Sequence, residues 1–241
     1  MALDFLKTDK TIAAAKDTLG GGSFVWDTGL YPVVVDSIYM DQSSGGAHNV
    51  NVVFKTADGK SLNQTIYITS GTAKGCLNYY MDKQGEKQYL PGFNTVNDLA
   101  LVTTGKDISE LEPEEKLVEV YNVELKKKVP TLKPVFMDMI GQELQIGVTK
   151  IKEFKNIKDE STGKWVPGTE IKELNEVNKI FAEDARTVTE IRAEEPTAIF
   201  APKWSERNNA EFIKDKTKGA KSAPAGGAAT SAAPTKSLFA K

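Results

Sequence analysis

Seven side chains between positions 74 and 93 mix cationic and aromatic chemistry: Lys74, Tyr79, Tyr80, Lys83, Lys87, Tyr89 and Phe93. A tyrosine offers a flat π-face on which a nucleobase stacks and a hydroxyl for phosphate, while lysines follow backbone charge. This is how proteins hold single strands without reading their sequence. Gly71, Gly75, Gly85 and Gly92 punctuate the stretch and suggest a loop able to move. Lys126, Lys127 and Lys128 with Lys133 form a second basic group, and Lys150, Lys152, Lys155 and Lys158 a third. The competing assignment packs the tyrosines on a β body and leaves the lysines to solvate its surface.

Other chemistry is thinly represented. The segment Ser70-Gly-Thr-Ala-Lys-Gly75 lacks the G-x-x-x-x-G-K-[ST] spacing of a phosphate loop, which argues against a nucleotide triphosphatase. His48 is the single histidine and Cys76 the single cysteine, so a disulfide framework and a Cys/His zinc site are excluded. His48 lies in a Gly/Ser-rich turn and reads as an exposed loop residue, and Cys76 as a small buried hydrophobe. Asp107, Glu110, Glu112, Glu114 and Glu115 are dense but lack ligand spacing, and read as a solvated acidic loop. Asp138 with Glu170 and Lys172 loosely matches the Asp…Glu-x-Lys pattern of magnesium-dependent nucleases, the alternative function. No metal site and no cofactor is assigned.

The elements that must position these residues are mostly strands. Phe24 to Trp26 and Leu30 to Met40 read as strands, and so do the runs 48–55 and 62–69 on either side of the Asp58-Gly59 hairpin turn. Three further strands are expected at 117–125, 131–137 and 143–151. One short helix is expected at 95–103, with Asn94 as N-cap and Gly105 beyond its end. A second is expected at 170–181, where Ile171, Leu174, Val177 and Phe181 fall at helical spacing. The stretch 187–193 fits either helix or strand. Many short strands, one capping helix and no βαβ alternation predict a mainly β chain, a Greek-key barrel or a sandwich.

Of the 241 residues, 40% are hydrophobic and 27% charged, an ordinary globular balance with net charge −2. From Ile213 onward the sequence carries six lysines against Asp215 alone, so a +5 tail follows a body of −7. Residues 219–235 are almost all Ala, Gly, Pro, Ser and Thr, a flexible linker. It ends in Lys236-Ser-Leu-Phe-Ala-Lys241, where Lys236 and Lys241 flank Leu238 and Phe239 like a partner-binding peptide. The expected divisions are an arm at 1–22, a core at 23–155, an extension at 156–212, a linker at 213–235 and a peptide at 236–241. Nothing approaches the roughly 20 apolar residues of a membrane span. The expectation is a soluble, cytosolic protein.

The succession Val25-Trp-Asp-Thr-Gly-Leu-Tyr-Pro-Val-Val-Val35, Thr56-Ala-Asp-Gly-Lys60, Tyr79-Tyr-Met-Asp-Lys-Gln-Gly85, Leu90-Pro-Gly-Phe93 and Val96-Asn-Asp-Leu99 resembles bacteriophage single-stranded DNA-binding proteins of the OB-fold type, over roughly the first 155 residues. The resemblance implies an OB-like Greek-key barrel and a non-enzymatic protein that coats exposed strands during phage replication and recombination in the cytoplasm of a bacterial host. It places Tyr79, Tyr80, Lys83, Lys87 and Tyr89 in the DNA-holding loop; Lys74, Lys126, Lys127 and Lys128 are assigned to DNA contact from their charge. Many such proteins end in an acidic tail that competes with DNA. The basic tip here argues against that mimicry and points instead to recruitment of host or phage replication or transcription proteins.

Overall fold

The computed structural model describes residues 25–122, 125–159, 163 and 165–218. The arm at 1–22, Phe24, the linker from 219 and the peptide with Lys236, Leu238, Phe239 and Lys241 lie outside the described residues. Among the described residues the fold is mainly β, with three α-helices.

Strand β1 (Gly29–Gln42) organises the sheet. Its Val33 and Val35 face inward, and so does Ile38, three residues on, because a register shift between Val35 and Ser37 inserts a bulge at Asp36. A bulge bends its strand and switches the inward parity. That bend lets β1 pair through residues 29–34 with β8 (Glu143–Lys158) and through 34–42 with β2 (His48–Lys55), both antiparallel. A turn over Thr56 to Lys60 leads into β3 (Ser61–Tyr67), paired in register with β2. Of the Asp58-Gly59 pair only Gly59 takes positive φ, +82°.

A small hairpin follows, β4 (Tyr79–Met81) with β5 (Lys87–Tyr89), and runs straight into helix α1 (Pro91–Thr104). Asn94 is not the N-cap. The helix starts earlier because Pro91 is pre-set for a first turn and has no N–H to satisfy. Gly92 then lets the helix approach β3, since a Cβ there would sit 2.1 Å from the Tyr67 carbonyl oxygen. Gly92 thus serves close packing, not the loop movement expected of it. Gly105 closes the helix in the left-handed conformation, as its sequence position suggests. Val96, Leu99 and Ala100 of α1 are fully buried in the core with Val35, Ile38, Val52, Phe54 and Ile146.

Strands β6 (Glu114–Asn122) and β7 (Lys127–Val135) form a long hairpin that meets the sheet where Tyr39 pairs with Val135. After β8, the chain returns as β9 (Trp165–Phe181). The helix expected at 170–181 is therefore strand. Of its apolar residues Ile171 is well exposed, Val177 enters the main core and Phe181 a separate cluster, so the helical spacing marks no single buried face. A second bulge lies within the strand: Val148 opposes Val177 but Gly147 opposes Lys179, leaving Asn178 unpaired. Val177 and Ile180 thereby reach the same core three residues apart. Phe24 to Trp26 is likewise not strand as far as it is described. The Trp26 N–H and C=O instead exchange hydrogen bonds, both 2.8 Å, with the buried carboxamide of Asn175.

The backbone ladder stops between β3 and β9, so the sheet is not closed into a barrel. One side chain spans the gap: the Gln64 Nε2 donates to the Asn175 carbonyl and its Oε1 accepts from the Val177 N–H, both at 3.1 Å. The open stretch resolves into helix α2 (Val188–Arg192), with Thr187 as N-cap, followed by α3 (Phe200–Arg207). Trp204 of α3 packs with Phe181 and Ala201 in a separate small cluster. Ile213–Asp215, expected at the head of the linker, form β10, parallel to β8. No helix among the described residues is long and apolar enough to cross a membrane.

Candidate nucleic-acid interface

The hairpin β4–β5 sets the tyrosines by register. Tyr79 opposes Tyr89 and Met81 opposes Lys87, so Tyr79, Lys87 and Tyr89 share one face, while Tyr80 and Gln88 share the other. The Lys87 Nζ lies 4.5 Å from the centroid of the Tyr79 ring, a cation–π pair. Tyr89 stacks on Phe93 of α1, centroids 4.8 Å apart and planes 28° apart. Asn78, Tyr79, Lys87 and Tyr89 line a recess of about 390 Å³. Tyr79 and Tyr80 do fall on opposite faces, yet neither enters the core: Tyr79 is half-buried and Tyr80 is 48% exposed.

Asp82 shapes the turn that joins the strands. Its Oδ1 accepts from the N–H groups of Gln84 and Glu86, both 2.9 Å, and its Oδ2 from Gln88. These bonds, the Glu86 amide first, hold its carboxyl below the ordinary range. Lys83 sits exposed in this turn, and Lys74 sits exposed in a 3-10 turn before the hairpin. That preceding loop is tied to the β1–β2 turn: the Thr72 N–H donates to the Gly45 carbonyl at 2.9 Å and the Cys76 thiol to the Gly46 carbonyl at 3.3 Å. Gly46 has φ +78°, and a Cβ on it would strike Thr72. Cys76 is partly exposed and has φ +53°, so it serves a tight loop and not the core. His48 begins β2 and is no loop residue.

The sequence reading missed a second surface. On the outer face of β1, β2 and β3, register aligns Tyr39 with Asn51 and Thr65, and Asp41 with Asn49 and Tyr67. Asn51 links the two neighbours, donating to the Asn49 Oδ1 at 2.8 Å and accepting from the Thr65 hydroxyl at 2.6 Å. Tyr67 is 53% exposed at the end from which the hairpin departs. The alternation Asn49, Asn51 on one side and Val50, Val52 on the other carried the signal for this face.

Lys126, Lys127 and Lys128 lie at the tip of the β6–β7 arm, Lys126 with φ +50°. Tyr121 opposes Lys128 on the same face as Leu117 and Leu132, all well exposed. Lys133, grouped with these lysines from sequence, instead anchors the arm's base to Asp41 at 2.6 Å. Three members of the third basic group are engaged in strand-to-strand pairs: Lys150 and Lys152 with Glu173, both 3.3 Å, and Lys155 with Glu170, 3.2 Å.

The nuclease trio is not brought together. Glu170 takes Lys155, and Lys172 takes Glu153 at 3.1 Å. Asp138 sits in a 3-10 turn before β8, whose start lies ten residues from Glu153, roughly 30 Å of extended strand. Among the described residues no three His, Cys, Asp or Glu side chains group as a metal site. The acidic loop is used structurally, with Asp107 and Glu110 forming a capping box and Asp107 accepting from Asn97 at 2.7 Å. Compared with known proteins, the chain matches no protein-family model and no curated sequence.

Proposed function

We propose that this chain is a non-enzymatic single-stranded DNA-binding protein that coats exposed strands in phage DNA replication and recombination and recruits replication or transcription proteins through Lys236, Leu238, Phe239 and Lys241. The observation that carries the reading is the recess on one face of the β4–β5 hairpin, where Tyr79 opposes Tyr89 and Lys87 lies over the Tyr79 ring. Two rings beside a cation suit a stacked base and its phosphate. The architecture supports an OB-like Greek-key barrel: a three-strand meander, a helix before the next long strand of the core, β1 shared between β2 and β8, and Gln64 bridging β3 to β9. In that class, oligonucleotides lie over strands 2 and 3 and the loops between strands 1 and 2 and between 4 and 5. With the β4–β5 and β6–β7 hairpins taken as insertions, these correspond to β2, β3, the turn at 43–47 and the β8–β9 connection.

The test is a mobility-shift assay on labelled single- and double-stranded oligonucleotides, with and without magnesium. The expected result is a shift of single strands without cleavage. Magnesium-dependent cleavage that survives repurification and vanishes in Glu170→Ala replaces this reading with the nuclease, and no shift of either strand type removes it.

A further inference from the structure

At the fork where β1 passes from β8 to β2, Val34 opposes both Glu143 and Lys55. A groove of about 460 Å³ opens there, lined by Pro32, Val34, Ala57 and Leu144 and rimmed by Asp36, Glu143 and Glu183. A second recess of about 770 Å³ shares Glu143 and Glu183 and adds Asp184. Among the described residues Lys55 is the one cation lining either, and it lies 4.0 Å from Asp36. Asp184 is occupied by Arg186 at 2.7 Å. Glu143 and Glu183 are exposed, so the groove presents an apolar floor under a negative rim.

We propose that the C-terminal peptide, Lys236-Ser-Leu-Phe-Ala-Lys241, docks in this groove of its own chain. Leu238 and Phe239 cover Pro32, Val34 and Ala57, and Lys236 and Lys241 face Glu143 and Glu183. The peptide is the complement of the groove in both respects: two bulky apolar side chains between two cations. Its tether fits as well. β10 ends at Asp215 opposite Lys152, eight residues along β8 from Leu144, so about 26 Å of strand separates the tether's root from the groove. The 17 residues from 219 to 235 are of the flexible Ala/Gly/Ser class, with a root-mean-square span of about 20–25 Å. Effective concentration is highest when linker span and site separation match, so even a weak groove is occupied intramolecularly. Docking does not depend on DNA binding. Its consequence, that the peptide is withheld from partners until they outcompete the groove, rests on the recruitment reading above.

The test uses the full chain carrying a photoreactive benzophenone amino acid in place of Phe239, irradiated without DNA or partner, followed by peptide mapping. Adducts are expected within one chain, in segments 32–36, 55–57, 142–145 and 182–184, at a yield independent of protein concentration. The double variant Glu143→Lys, Glu183→Lys should lower that yield at least fivefold, and adding Lys236→Glu and Lys241→Glu should restore it. Circular dichroism confirms that the surface variants fold. Adducts elsewhere, or a yield indifferent to these charge reversals, overturn the proposal. Adducts between two chains that grow with concentration also overturn it and assign the groove to the tail of a second copy. Because no DNA is present, a negative result here leaves the mobility-shift test independent.

Discussion

Two carboxylates in different regions perform the same chemistry with different consequences. Asp82 in the β4–β5 turn and Glu190 in α2 each accept several backbone N–H groups. Asp82 is at the surface. Glu190 is 8% exposed, and its two oxygens take the N–H groups of Thr187, Ile199 and Phe200 and the Thr187 hydroxyl at 2.6–3.0 Å. Burial alone would raise its carboxyl pKa, yet these bonds overcome it and hold it at about 2. Glu190 thus fastens the start of α3 to the start of α2 in a low-dielectric setting, where an unmet donor is expensive. Asp82 shapes a hairpin that water also solvates. The first region is built for stability, the second for presenting side chains.

The largest effect should come from breaking the buried member. Glu190→Ala strands two amides at the head of α3 and should lower unfolding free energy by about 2–3 kcal/mol in urea titration, with single-strand affinity of the folded fraction unchanged. Glu190→Gln should fall between, since its amide keeps the acceptor for Ile199 and Phe200 but points donors at Thr187. The pH dependence has a defined sign. A carboxyl depressed from 4.5 to about 2 contributes stability that is full above its unfolded value and fades as pH falls toward 2. Wild type should lose this contribution across that window, and Glu190→Gln should show a flatter profile there.

On the presenting side, Tyr79→Ala and Tyr89→Ala should each weaken single-strand binding by about 1–3 kcal/mol in fluorescence titration where the residue stacks on a base, with little change in unfolding. Tyr80→Ala, on the opposite face, should lose less. Equal losses for all three would dissolve the distinction between the faces and move the binding surface away from the recess. Lys83 and Lys87 sharpen the same point electrostatically. If both meet phosphate, the double alanine variant should reduce the slope of log affinity against log salt by about 1.4, uniformly across sequences. The smallest effect belongs to Asp82→Asn. It should leave thermal unfolding unchanged and reduce affinity less than either face tyrosine, because it alters only how the hairpin is held.

Reading the sequence located the strands at 30–40, 48–55 and 62–69 and the one long helix, because each carries its own periodicity and turn chemistry. It also singled out Tyr79, Lys87 and Tyr89 of the β4–β5 face, though not Asn78 or Met81, since lysine and tyrosine so interleaved are legible as composition. The helix expected at 170–181 went astray because Ile171, Leu174, Val177 and Phe181 share no buried face: Ile171 is exposed, Val177 reaches the main core and Phe181 a separate cluster. The N-cap assigned to Asn94 failed for a local reason: Pro91 opens the helix without any side-chain cap. The polar face with Tyr39, Asn51 and Tyr67 escaped notice because its members come from three strands and meet only through register.

Local patterns by themselves determined the β character, the turn at Asp58-Gly59, the C-cap at Gly105 and the residue types of the candidate interface. These depend on steric preferences and side-chain chemistry carried within a few residues. Tertiary structure alone decided which face each tyrosine takes, that Gln64 spans the gap between β3 and β9, and that Lys133 anchors an arm through Asp41 instead of joining its basic tip. The same holds for Glu190, whose partners Ile199 and Phe200 sit nine and ten residues away. The physical reason is shared. A buried polar group must find its partner wherever the packed chain delivers one, and β pairing joins residues by register across sequence distances that no local pattern records.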